Sequence, residues 1–129
     1  MQDFLFVKDG NDYVHLNFAD ILYIEASDKY SKVFTPSKKY LVHLPLNIIE
    51  KNLPSRFFCR IHRSYIISLI HTTSFNQAYV VVAGKKIQIG KHYKEVLPHR
   101  IQTFSTSPKN YVILSDYDFL SLFRKLGPN

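Results

Sequence analysis

Phe57-Phe58-Cys59-Arg60-Ile61-His62-Arg63-Ser64-Tyr65-Ile66-Ile67 is the stretch on which the reading of the chain turns. With a period of two, the odd positions Phe57, Cys59, Ile61, Tyr65 and Ile67 form a nearly unbroken apolar face. The even positions Arg60, His62 and Ser64 are polar, and Arg63 interrupts the apolar face between His62 and Ser64. A strand with one face in a core does not bury a lone guanidinium. Two readings stay open. Either the strand ends or bulges at Arg63, leaving it exposed, or Arg63 reaches toward a partner.

Around that stretch, 129 residues make one domain the default, enough chain to bury roughly two-thirds of its unfolded surface. A hydrophobic content of 46% with 15% aromatic excludes a disordered chain. Nine Tyr, ten Phe and many Ile and Val favour strands, whose pleated and half-buried surface suits these side chains. No apolar run approaches the roughly 18 residues that span a bilayer. Met1-Gln2-Asp3 lacks the basic start and apolar centre of a signal peptide. The single cysteine, Cys59, has no internal disulfide partner and sits on the apolar face, as a small buried hydrophobe in a reducing compartment would. The chain reads as cytoplasmic, with no membrane expected.

Charge is segregated along the chain. Residues 1–28 hold one Lys against six acids, a balance of −5. Residues 29–100 hold thirteen Lys or Arg against Glu50 and Glu95, a balance of +11, and residues 101–129 come to +1. Two acids across the middle segment are too few to neutralise its cations locally. A positive field matched to phosphate is the favoured reading, and a solvated basic surface is the plain one.

Taken in order, Phe4-Leu5-Phe6-Val7 predicts a short buried strand, and Asp9-Gly10 a hairpin turn. Val14, Leu16 and Phe18 alternate on one side of the next strand, with His15 on its polar side. Asp20 opens a third strand over 21–25, and strands follow over 33–35 and 39–44, the last after a turn at Pro36. Leu46, Ile49 and Leu53 then mark a short helix with Pro45 at its first position and Pro54 as its stop. After the opening stretch come strands over 70–75 and 77–83, a turn at Ala83-Gly84 with a returning strand over 86–89, and a helix over 91–97 before Pro98. Residues 103–108 are a boundary by composition. Tyr111-Val112-Ile113-Leu114 reads as an added strand, and 116–126 as an amphipathic helix with Phe119, Leu122, Phe123 and Leu126 on one face. The fold class expected is mostly β, antiparallel, with two or three short helices.

Nothing in the chain spells a catalytic centre. His15, His43, His62, His71, His92 and His99 show no metal-ligand spacing, and there is no CxxC. GxSxG, Walker A and GxGxxG are absent, so no enzyme, cofactor or metal is expected. Glu25, last in an apolar strand, reads as a buried structural acid or a contact to Lys or Arg. Three polar islands instead fall at strand ends in the basic segment: Lys29-Tyr30-Ser31-Lys32, His62-Arg63-Ser64 and Gly90-Lys91-His92-Tyr93-Lys94. Lys and Arg suit phosphates, hydroxyls position phosphate oxygens, and Arg grips guanine O6 and N7 with two hydrogen bonds.

These residues resemble the LytTR-type DNA-binding domain, the output module of many bacterial response regulators. The resemblance is carried by Asp20-Ile21-Leu22-Tyr23-Ile24-Glu25-Ala26 with Tyr30-Ser31-Lys32-Val33, by Leu53-Pro54 with Phe58-Cys59-Arg60-Ile61-His62-Arg63-Ser64-Tyr65-Ile66-Ile67, and by Ile87-Gln88-Ile89-Gly90-Lys91-His92-Tyr93-Lys94-Glu95. It implies a small, elongated, mostly β domain over 1–104 and a C-terminal extension over 105–129. It further implies transcription regulation by loops that enter successive major grooves of double-stranded DNA. The implied reading loops are Lys29, Tyr30, Ser31 and Lys32, then His62, Arg63 and Ser64, then Lys91 and His92, with Arg63 the candidate base contact. Gly90 stands where many members carry Ser, Lys91-His92 where Arg is common, and Ser68 where Asn is common. Two copies on repeated sites are expected, with an upstream receiver domain or sensor kinase as regulatory partner. The chain starts just before the first strand, as a fragment of a longer regulator or a stand-alone one would. The competing class is a basic protein- or membrane-surface interaction module without DNA specificity, anchored by the tail helix.

Overall fold

The computed structural model of the protein describes residues 3–106. The strand and helix expected over 111–114 and 116–126 lie outside the described residues. The chain divides into two compact units, Met1–Lys94 and Glu95–Asn129, and the first carries all the strands described below.

The opening stretch folds back on itself. β6 (Phe58–His62) and β7 (Tyr65–Ser68) pair antiparallel, with Arg63 and Ser64 as the turn between them. The strand ends before Arg63, which is exposed and so free to meet a partner, and a bulge lies beside it. Arg60 pairs with Ile66 but His62 pairs with Tyr65, so Ile61 is an extra residue in β6. Simple alternation through 57–67 therefore fails, because the turn reverses the chain and the bulge shifts the phase. Burial on both sides of this hairpin blurs it further. Ile66 and Ile67 are consecutive, point to opposite faces, and are 1% and 0% exposed.

β6 and β7 are one side of a five-stranded antiparallel sheet ordered β5-β4-β3-β7-β6, with β3 (Tyr23–Ser27), β4 (Tyr30–Phe34) and β5 (Lys39–Val42). Ile24 pairs with both Val33 and Ile66, and Val33 with Tyr40, which puts these four on one face. Against that face pack Leu46 and Ile49 of α1 (Leu46–Lys51), with Val7 of β1 (Phe4–Asp9) and Leu16 of β2 (Asp12–Asn17). Pro45 caps α1 at φ −70° rather than filling its first turn, one position earlier than expected. A three-stranded sheet, β8 (Thr72–Phe75), β9 (Tyr79–Val82) and β10 (Lys85–Gln88), completes the set with buried Val80, Val82 and Ile87. Lys85 at its edge lies over the rings of Tyr23 and Tyr65, 5.3 and 5.7 Å from their centroids.

The hairpin turns follow the expected chemistry. Gly10 takes φ +65° as the first of two loop residues, and Ala83 and Gly84 both take positive φ in the β9–β10 turn. The first strand is only partly buried, against expectation. Val7 is in the core, while Phe4 and Phe6 lie on the outer side of the two-stranded β1–β2 ribbon beside His15. The helix expected over 91–97 is two pieces, a 3-10 turn at Lys91–Tyr93 and α2 (Val96–Arg100). Pro98 is inside α2 rather than after it. It occupies the third position, where a backbone N–H has no intrahelical acceptor to lose.

Ile66→Ala removes a branched side chain from a fully enclosed position and lowers unfolding free energy by about 2–5 kcal/mol in chemical denaturation. The Tyr65 hydroxyl donates to a Glu25 carboxylate oxygen. That hydrogen bond, with burial and the Glu25 charge behind it, pushes the phenol from 10.0 up to about 12. The folded-state value lies above the unfolded one, so the stabilisation is complete below pH 10 and is lost as pH rises to about 12. The stability difference between wild type and Tyr65→Phe, followed by denaturant midpoint against pH, stays flat up to pH 10 and narrows above it.

Candidate nucleic-acid interface

Pairing of Ser27 with Tyr30 leaves Asp28 and Lys29 as the tip of the β3–β4 hairpin. Asp28 adopts φ +57°, a left-handed conformation that a short polar side chain tolerates, and Lys29 is exposed. Next to this tip, the Ala26 N–H donates to the Ser64 carbonyl at 2.8 Å. One hydrogen bond thus fastens the end of β3 to the β6–β7 turn. In that turn Arg63 is exposed, and His62 Nδ1 accepts the Ser64 N–H at 3.0 Å. With Nδ1 occupied as an acceptor, Nε2 carries the ring proton and is the nitrogen left to donate.

The third island is seated against the second. Gly90 N–H donates to the Ile61 carbonyl at 2.8 Å, and Tyr93 N–H donates to the Gly90 carbonyl at 2.9 Å, closing the Lys91–Tyr93 turn. A Cβ on Gly90 would stand 3.0 Å from Tyr93 Cδ2 and 3.4 Å from His62 Cα. This is a reason for glycine here that involves no unusual φ. Lys91 and His92, both exposed, follow directly. The three islands, far apart in sequence, therefore meet at one end of the sheet.

Not every candidate residue is available there. Ser31 is 0% exposed, and its hydroxyl donates to the Leu44 carbonyl at 2.8 Å. Its place as a reading-loop hydroxyl is corrected: it is a tie between β4 and the segment after β5. The expected loop 29–32 is mostly strand, since β4 begins at Tyr30. Lys32 is half-buried opposite Glu25, one cross-strand neighbour of that acid, and Tyr65 is the other. Glu25 is thus a structural acceptor that ties β3 to β7. Lys29, Tyr30, His62, Arg63, Ser64, Lys91 and His92 stay at or beside the tips.

Two residues at this end were not singled out from the sequence. His43 follows Val42, which pairs with Ser31, and so comes beside Tyr30, their rings 4.4 Å apart at 74°. Only the β4–β5 register brings them together. Arg60, read merely as a polar-face residue, turns its guanidinium along the hairpin, with Nε on the His62 carbonyl at 2.9 Å. Ion pairs among the described residues use Lys38, Arg56 and Arg60, leaving Lys29, Arg63 and Lys91 without a carboxylate at salt-bridge distance. Asp28 is the acid at the tips. Among the described residues no group of His, Cys, Asp or Glu is arranged to hold a metal ion. What the arrangement offers is exposed cations, ring N–H and hydroxyl donors, and flat rings at one edge, a set suited to anionic, hydrogen-bonding surfaces.

The sequence profile of the LytTr DNA-binding domain matches residues 11–102. The sensory transduction protein LytT of Bacillus anthracis is 34% identical over 90 residues, covering 65% of this chain and 37% of that protein. The transcriptional regulatory protein LytR of Staphylococcus aureus strain N315 is 36% identical over 90 residues, covering 64% and 37%. The chain thus spans little more than a third of the length of these relatives. A solved LytTr DNA-binding domain from Bacillus cereus superposes with a TM-score of 0.64 at 20% identity, over 74% of this chain and 94% of that one. The antiparallel strand architecture and the match across residues 11–102 agree, and the chain belongs to the LytTR family of DNA-binding domains.

Proposed function

We propose that this chain binds double-stranded DNA sequence-specifically, presenting its three joined tips to successive stretches of major groove, and so regulates transcription. The observation that carries the reading is the pair of backbone hydrogen bonds, Ala26 to Ser64 and Gly90 to Ile61, which hold the three cationic tips at one edge. A duplex repeats its grooves at fixed spacing, so a protein that reads it with loops needs those loops held in fixed relation.

Roles follow from chemistry and exposure. Arg63, at the apex of its turn and planar in its donors, reads a base edge, guanine above all. Lys29 and Lys91 neutralise phosphates on either side. His62 donates through Nε2, and Tyr30, Ser64 and His92 position the backbone. Lys32 adds to the field from the strand rather than touching a phosphate directly. Family membership and the names of the relatives support a place as output of a two-component response regulator, controlled by a receiver domain or sensor kinase in the cytoplasm. Two copies act on a repeated site. No helix among the described residues is long and apolar enough to cross a membrane, and no observation favours an anchoring role over DNA.

Selection of sites from random duplexes by the purified protein returns a defined motif if this reading holds; binding without preference contradicts it. With about four to six phosphates neutralised, log Kd against log salt has a slope of roughly 4 to 5 in magnitude. Arg63→Ala costs on the order of 1–3 kcal/mol on the selected site and relaxes preference at one base pair. Equal loss on every sequence would make Arg63 a phosphate contact instead. Ser31→Ala separates burial from contact: it lowers unfolding free energy by about 0.5–1.5 kcal/mol through loss of the hydrogen bond to the Leu44 carbonyl, and leaves the salt slope unchanged.

A further inference from the structure

We propose that Arg60 is the positioning residue of the β6–β7 reading turn and that Glu50, on α1, is its anchor. The inference rests on the DNA-binding reading above and names what holds its central loop.

Arg60 is on the α1 side of the sheet, paired with Ile66 in the face that α1 covers. Its side chain is 14% exposed, so its bonds form in a partly dry setting where charge-assisted contacts are strongest. Each of the three guanidinium nitrogens has a protein partner. Nε donates to the His62 carbonyl at 2.9 Å, one terminal nitrogen donates to the Arg63 carbonyl, and the other meets Glu50 Oε1 at 3.0 Å. The two carbonyls belong to the last strand residue and the first turn residue, the pair whose peptide planes set where Arg63 and His62 project. The bulge at Ile61 makes this place deformable, since the ladder loses its regular pairing there. A planar fork spanning both carbonyls fixes what the ladder does not. Glu50 in turn keeps the guanidinium from swinging outward toward phosphate.

This assignment differs from a phosphate contact in a measurable way. Each guanidinium nitrogen of Arg60 is committed to a protein partner, so Arg60 contributes to discrimination between sequences rather than to the count of neutralised phosphates. Lysine keeps the charge but cannot bridge two carbonyls and a carboxylate in one plane.

The test measures affinity for a selected site and for an unrelated duplex across a salt series, with Arg60→Lys and Glu50→Ala beside wild type. Arg60→Lys is expected to narrow the ratio of specific to nonspecific affinity about tenfold while the salt slope stays at the wild-type value. Glu50→Ala is expected to narrow the ratio about threefold without weakening nonspecific binding, since a carboxylate near the interface has been removed. Simple electrostatics would instead strengthen both affinities of Glu50→Ala equally, and that result overturns the proposal. So does an Arg60→Lys protein with wild-type discrimination, or one losing both affinities along with a shallower slope. If Arg60→Lys does not fold, the exposed Glu50→Ala, which keeps a good helix former in α1, decides the matter alone. A wild-type protein that selects no site fails the DNA reading itself, independently of either variant.

Discussion

Two backbone hydrogen bonds constrain everything at the functional end of this molecule: Ala26 N–H to Ser64 C=O, and Gly90 N–H to Ile61 C=O, each 2.8 Å long. Each joins a strand residue to a turn or cap residue of another segment, and together they tie three separate turns to one point. Long cationic side chains lose considerable freedom when they dock, and loops that are themselves unplaced would lose more. Mounting each turn on its neighbour through the main chain removes much of that second loss before any partner arrives. Because the main chain carries this tie, the exposed side chains of Lys29, Arg63 and Lys91 are free to specify rather than to support.

The framework behind this end is a sheet covered on both faces where it matters most. Ile66 and Ile67 are enclosed on opposite sides, and Tyr65 beside them is held to Glu25 by its hydroxyl. Neighbouring strands whose faces are both packed cannot slip in register without exposing one set of side chains. The turn that follows His62 thus inherits a defined starting direction. Glu25 serves the same end from β3: it is flanked across the ladder by Lys32 and Tyr65, and it spends its charge inside the protein rather than facing an anionic partner.

Much of this was legible in the residues. Alternation, turn chemistry at Asp9-Gly10 and Ala83-Gly84, and the period change at Leu46 located most elements, because each depends on neighbours a few positions away. The three polar islands lie at one end of the sheet, next to strand residues that also carry the family resemblance. Ser31 was misread for a physical reason: its neighbours Lys29, Tyr30 and Lys32 are polar or amphipathic, and only the β4–β5 pairing shows that its side chain faces inward to Leu44. The reversal at Arg63-Ser64 was hidden because two-sided burial erases the period-two signal that would have marked it. The roles of Arg60 and His43 escape local pattern because they depend on the hairpin's reversal and on distant partners: the turn carbonyls and Glu50 in α1 for one, and the ring of Tyr30 for the other. Local pattern finds elements, and register assigns side chains to a site.

The central claim is that the three turns act as one rigid reading edge. Titrating the isotope-labelled protein with a duplex carrying its selected site, and following backbone amide resonances, tests it most directly. The account predicts that amides near Lys29, Arg63 and Lys91 move together along one binding curve, while those of the β1–β2 turn at Gly10 stay in place. Three groups responding at different duplex concentrations, or a response confined to one turn, would contradict it.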